Sequence, residues 1–343
     1  MSKNFWLFRT NLRPLEYYHQ YKSLENFEKN CHDFYLLMGI WFLRNRVYDN
    51  FIVWRLNPKG QKLEDIVFDV DGKKFIQRWV SNFSEVFTHD PPKISFFRGG
   101  FPEYCKITKV NPSHLGKKLY LGAGRRVYPQ HGGKYDLVLL ESEQDRKDGY
   151  KTVPFYKTAN SEIFKPIEIA KKFNLCWICN FAQIRHKGQE FFIQEVSKST
   201  HLKQLNIIHV GNRPEDGKRM CKRYGVSNIE FAGWVDRPIL NEYLNSSYFG
   251  LVTSNEVDGC PRVITEVMMS GTPLLLRKKA RLLNFYKKSG VIIFDDKSLK
   301  LKIQHGMFKY DVYKEQAREN VQQKITMDKV CNMNLHIWNN SKK

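Results

Sequence analysis

The sequence predicts an α/β protein of two domains, each built on a parallel sheet covered by helices. Three observations carry that prediction. The chain has 343 residues, which accommodates two domains at about 100–200 residues each. Short apolar runs alternate with helical patterns, as in sheets whose strands are buried on both faces. A polar, proline-containing stretch at residues 154–172 interrupts that alternation near the midpoint and leads into a fresh strand.

The elements follow in order. Leu24, Phe27, Cys31, Phe34, Met38 and Trp41 recur at spacings of three and four, one face of a single helix. The apolar run at residues 34–43 is the longest in the chain and falls short of the ~20 residues a membrane-spanning helix needs. Core packing is its plain reading; Arg44 and Arg46 behind it leave interfacial membrane docking as the alternative. Strands are expected at residues 51–56, 66–70, 94–97, 118–121 and 137–140. In the second half they are expected at 175–179, 205–210, 228–231, 249–253, 273–276 and 291–294. Helices at 189–199, 237–245 and 263–269 separate several of these. This divides the chain into an amino-terminal domain (1–156), a linker (157–172), a second domain (173–310) and a helical segment (311–343) able to cross back to the first domain. Two such domains around a cleft place ligands at the carboxyl ends of their strands.

Composition narrows the partners. Hydrophobic residues are 42% and aromatics 14%, which excludes a disordered chain. The formal net charge is +21, so an acidic partner is expected: nucleic acid, an anionic membrane or a phosphate-bearing small molecule. The excess is spread over both halves, with local clusters at residues 277–281 and 297–302. No basic tail, helix-turn-helix, RRM or zinc pattern accompanies it, which argues against nucleic acid. The seven cysteines show neither a disulfide framework nor paired zinc spacing. Cys176 and Cys179 form a lone C-x-x-C inside a strand-like run. Reduced thiols and the lack of a secretory signal near residues 1–10 fit a cytoplasmic protein.

Chemistry concentrates at residues 248–276. A strand is followed by a polar loop at 254–261, a short helix stopped by Gly271, and Thr272-Pro273 before the next strand. The loop thus opens onto a helix N-terminus at the carboxyl end of a strand, where free amides and the helix dipole attract phosphate. Gly259 permits close backbone approach to a ligand. Asp258 and Glu266 lie eight positions apart, a spacing that can turn both carboxylates toward one pocket to accept hydrogen bonds from sugar hydroxyls.

This segment resembles the signature of retaining GT-B glycosyltransferases of the family-4 type, the glycosyl transferases group 1. Their E-x7-E motif reads E-G-x-P-x-x-x-x-E-A-M-x-x-G-x-P. Here Asp258 stands at the first acid, one methylene shorter, Glu266 matches the second, and Val267 replaces the usual Ala. Residues 228–235 (NIEFAGWV) are similar to the family's strand-plus-glycine segment beside the nucleotide base, and residues 207–211 (IIHVG) to the strand preceding it. Arg185-His186-Lys187-Gly188 and the helix after it resemble the lysine-glycine loop facing the donor diphosphate. Ala182 occupies the place of an arginine that the family usually carries, and Arg185 is the nearest substitute. Residues 157–166 resemble the interdomain segment.

The resemblance implies a GT-B fold: two Rossmann-like domains facing across a cleft, with a C-terminal helix crossing back to the first. It also implies transfer of a sugar from a nucleotide-diphosphate donor to a glycan or lipid-linked acceptor, with retention. Glu266 would hold the donor ribose, Asp258 the transferred sugar, and Lys187 the diphosphate together with the amides around Arg262 and Val263. Gly259, Cys260, Pro261, Gly233, Trp234, Arg185 and Gly211 would complete the donor site; Trp234 either borders the base or packs in the core. No D-x-D metal cluster appears, so no metal or other cofactor is expected. His186 and His209 read as surface and core residues rather than catalytic ones. In the first half, Arg98-Gly99-Gly100 after a strand is either an acceptor or phosphate loop or a plain turn, and Arg125 or Arg126 could meet an acidic acceptor. The charge beyond one diphosphate points to an anionic acceptor or peripheral membrane association. The alternatives are a non-catalytic nucleotide- or glycan-binding protein on the same fold and, more weakly, a nucleic-acid-binding protein.

Overall fold

The computed structural model describes residues 3–9, 23–31, 33–57, 62–99, 101–122, 128–129, 133–181, 187–255, 262–280, 282–287 and 290–341. The chain forms two compact units, Met1–Tyr156 with Cys331–Lys343, and Lys157–Val330.

The first unit contains β1 (Asn4–Arg9), α1 (Leu24–Asn30), α2 (Phe34–Arg44), β2 (Asn50–Leu56), β3 (Ile66–Val70), β4 (Lys73–Val80), β5 (Ile94–Arg98), α3 (Pro102–Val110), β6 (Lys117–Leu121), β7 (Leu137–Leu140) and β8 (Thr152–Pro154). Its sheet order is β3-β4-β2-β1-β5-β6-β7-β8. Every pairing is parallel except the β3–β4 hairpin. The order reverses between β1 and β5, so this unit's switch point lies at their carboxyl ends.

β1 and β8 have no counterpart among the expected strands, and two further local results differ from the sequence expectation. The single helix expected through Leu24 and Trp41 is two helices. Asp33 breaks it by capping α2, accepting from the Tyr35 amide at 3.1 Å. α2 buries almost every side from Phe34 to Leu43, so it is a core helix. β4 was not expected at all. Asp71 (φ 52°) and Gly72 (φ 80°) form a two-residue turn with both φ positive, the geometry that Asp-Gly supplies to hairpins.

The second unit contains β9 (Phe173–Ile178), α4 (Gln189–Lys198), α5 (Thr200–Lys203), β10 (Ile207–Val210), α6 (Pro214–Tyr224), β11 (Ile229–Gly233), α7 (Arg237–Asn245), β12 (Ser247–Val252), α8 (Arg262–Met269), β13 (Leu274–Arg277), β14 (Val291–Phe294), α9 (Leu299–Phe308) and α10 (Tyr310–Gln323). Its six strands run β11-β10-β9-β12-β13-β14, all parallel. In order of appearance that is 3-2-1-4-5-6, the dinucleotide-binding arrangement, with its switch point between β9 and β12. Side-chain alternation puts helices on both faces. Phe249 and Leu251 join Phe192, Ile193 and Ile303 in one core cluster. The intervening Gly250 faces α8, where an added Cβ would lie 2.5 Å from Val267. A larger residue at 250 would push α8, and Glu266 with it, off the sheet.

A last helix, α11 (Met327–Asn340), carries the chain into the first unit from Cys331 onward. The helical segment at 311–343 is therefore divided between the units. Trp338 is fully buried among Phe96 (6.0 Å), Phe155 (6.2 Å), Phe5 (6.3 Å) and Phe42 (6.4 Å). Asn334 locks the same helix by bonding both the amide and the carbonyl of Tyr156, at 3.0 and 2.8 Å. Among the described residues no helix is long and apolar enough to cross a membrane. Trp338→Ala is expected to destabilise the first unit by about 3–5 kcal/mol, the usual cost of emptying a large aromatic site. Trp338→Phe should cost less, and denaturant midpoints measure both.

Candidate functional site

The site is built where β9 and β12 end side by side. The segment leaving β9 leads to Lys187 and Gly188, and the segment leaving β12 leads through Thr253 toward α8. One side chain ties the two together. The Thr253 hydroxyl accepts from the Trp177 indole N–H at 3.1 Å and donates to the Lys187 carbonyl at 2.6 Å. Gly188 has φ 68° and caps α4. A Cβ there would stand 2.1 Å from the Thr253 carbonyl, so only glycine lets these segments touch. Lys187 and Gly188 are thereby held against Thr253 at the switch point.

Arg277, at the end of β13, braces the same spot from behind. It is 6% exposed. Its Nε donates to Asp296 at 2.6 Å, Nη1 lies 3.4 Å from the Thr253 carbonyl, and the guanidinium stacks 3.8 Å over Phe191. Asp296 also receives Lys279 at 2.6 Å, and its pKa is lowered chiefly by the hydrogen bond from Arg277.

Glu266 is 4% exposed on α8. Arg237, at the start of α7, faces it at 3.4 Å. A buried carboxylate without such a partner would be costly; with it, Glu266 remains an acceptor aimed at one place. Arg262 and Val263 form the first turn of α8. Gly271 ends the helix with φ 68°, the left-handed stop the sequence called for. The Gly211 amide bonds the Gly233 carbonyl at 2.8 Å, which ties the exits of β10 and β11. Trp234 beside it is 59% exposed, so it is not a core residue.

Asp258, Gly259, Cys260, Pro261 and Arg185, with His186 and Ala182, lie outside the described residues, as do Gly100, Arg125 and Arg126. In the first unit Arg98 ends β5, where its Nη1 donates to the Gly122 carbonyl at 2.7 Å. Arg9 at the end of β1 is its register partner across that unit's switch point. Each guanidinium sits 5.5 Å over the Tyr35 ring, and Arg9 is paired with Asp33. Burial alone would lower the Arg9 pKa, but the Asp33 carboxylate beside it reverses that and holds it raised. Gly99 follows Arg98 with φ 100°.

Sequence reasoning missed Thr253, Arg237, Arg277 and Arg9. A common signal marks the last two and Arg98: an apolar strand closed by a single arginine, as in NFWLFR, ISFFR and LLLR. Cys176, Cys179 and His209 are where the sequence put them, in the core. Burial raises the Cys176 and Cys179 thiols far above their ordinary range. Among the described residues no group of three potential ligands is placed to hold a metal.

His209 is fully buried, its Nε2 3.1 Å from the Cys179 carbonyl. Burial lowers its pKa from 6.5 to about 4. The unfolded chain therefore binds protons more tightly, so stability held above pH 6.5 is lost as pH falls toward 4. Comparing denaturation at pH 7 and pH 4, His209→Phe should remove about 3 kcal/mol of the wild-type pH dependence.

Residues 172–301 match the family model described as Glycosyl transferases group 1. That range takes in both strands of the switch point, Lys187, Glu266 and Arg277. No curated protein sequence matches the chain. Solved structures match nearly its whole length at low identity. A glycosyltransferase from Rickettsia africae ESF-5 aligns with TM-score 0.71 and 14% identity, covering 99% of this chain and 98% of that one. Sucrose-phosphate synthase from Thermosynechococcus elongatus aligns with TM-score 0.67 and 12% identity over 98% of each chain. Anabaena HepE, solved with UDP and glucose, aligns with TM-score 0.63 and 13% identity over 98% and 99%. The fold is thus the GT-B type of two parallel-sheet units, and its second unit carries the group 1 glycosyltransferase match.

Proposed function

We propose that the chain transfers a sugar from a nucleotide-diphosphate donor to an anionic glycan or lipid-linked acceptor, retaining anomeric configuration and using no metal. The observation that supports this reading is the contact of Lys187 and Gly188 with Thr253 beside the ends of β9 and β12, the adjacent strands of the switch point. Structures similar to this chain hold UDP and glucose, or UDP-2-fluoro glucose, which makes UDP-glucose the first donor to test.

In this reading the donor diphosphate lies at the amino end of α8, against the amides of Arg262 and Val263, with Lys187 opposite. Glu266 accepts from the ribose hydroxyls, held in place by Arg237. Asp258 reaches hydroxyls of the transferred sugar, and Trp234 borders the base. As the glycosidic bond breaks, negative charge builds on the departing diphosphate. Fixed amides and a cation aimed there stabilise that state more than the ground state, which is the main catalytic contribution. No side-chain proton needs to move for the leaving group to depart.

The test is nucleotide release from UDP-, GDP- and ADP-sugars. With the active donor, Asp258→Ala and Glu266→Ala should each lower turnover by about 10²–10³-fold, and Lys187→Ala should weaken binding of the free nucleotide diphosphate. Wild-type turnover in both acid variants would show the site misassigned. Nucleotide binding with no turnover of any sugar nucleotide would make the chain a binding protein on this fold.

A further inference from the structure

Helix α9 is apolar on two opposite sides. At 100° per residue, Leu299, Ile303 and Gly306 fall on one line of the helix and Leu301 and Phe308 on the line directly across from it. The first line is buried: Leu299 and Ile303 belong to the core of the second unit. Gly306 lets the helix approach so closely that a Cβ would lie 2.9 Å from Ile292. The second line faces outward. Leu301 is 66% exposed, and Phe308, at 87%, is the most exposed large hydrophobic residue among those described. Val312 continues the patch at 51% into α10.

Between residues 297 and 310 the charge has one sign. Lys297, Lys300, Lys302 and Lys309 are all exposed, and residues 297–310 contain no acidic side chain. Lys300 and Lys302 flank the apolar line on either side, and Asp311 marks where the basic stretch ends. An exposed phenylalanine and leucine within a ring of lysines match the interface of an anionic bilayer: the apolar groups enter the acyl boundary while the ammonium groups meet lipid phosphates. The stretch also supplies a use for charge that one nucleotide diphosphate leaves unaccounted for.

We propose that the outer face of α9 docks the protein on an anionic lipid surface, with Phe308 and Leu301 inserted and Lys297, Lys300, Lys302 and Lys309 against the headgroups. This stands independently of the donor chemistry.

Sedimentation of the full chain with phosphatidylcholine vesicles, with and without 30 mol% phosphatidylglycerol, tests it. The wild type should partition onto the anionic vesicles and be released by salt. Phe308→Ser with Leu301→Ser should reduce that partitioning about tenfold or more, and the Lys→Gln changes at 297, 300 and 302 should do the same. Nucleotide binding in solution should stay at the wild-type level in both variants, which also shows that they fold. Equal vesicle binding by wild type and both variants would overturn the proposal. So would a wild type that ignores anionic vesicles, including one whose Phe308/Leu301 variant merely changes from dimer to monomer in gel filtration, since the face would then join two copies of the chain.

Discussion

The Thr253 hydroxyl is the constraint on which the second unit's site depends. It joins the Trp177 indole, inside the core, to the Lys187 carbonyl, just ahead of α4. Because it both accepts and donates, it bonds two polar groups at once at the carboxyl ends of the central strands. Lys187 is thereby referenced to the core of the unit. The contact of Gly188 with the Thr253 carbonyl and the brace from Arg277 work on the same few atoms.

Electrostatics follow from that geometry. Each buried charge at the site has an opposite neighbour: Glu266 with Arg237, and Arg277 with Asp296. Such pairs add little net stability, but removing one member leaves the other charge stranded in the interior. They therefore fix position rather than strengthen the fold. In the proposed function an anionic ligand would be met by the first amides of α8 and by Lys187.

Much of this was legible in the sequence, for physical reasons that differ by element. The strands of the second unit show because they are buried on both faces and so read as continuous apolar runs. The Gly271 stop shows because a left-handed helix end favours glycine, whereas Glu266 and Lys187 are marked by the family resemblance rather than by local geometry. The break between α1 and α2 did not show, because apolar periodicity runs straight across Asp33 while the cap acts through one local hydrogen bond. β4 was hidden by its alternation of Lys74, Ile76 and Arg78 with core residues, although Asp71-Gly72 announced a hairpin. The tie between Thr253 and Lys187 joins positions 66 apart in the chain, and no local pattern encodes it. Arg237 beside Glu266 is the same kind of case.

The most direct test of this account compares the affinities of UDP and uridine, measured by calorimetry, in the wild type and in Thr253→Val. Here UDP should bind the wild type at least tenfold more tightly than uridine, because the aimed cation and the α8 amides act only on the diphosphate. In Thr253→Val that ratio should collapse toward unity while uridine affinity holds. An unchanged ratio in the variant, or equal affinities in the wild type, would contradict the claim that the Thr253 tie positions a diphosphate site.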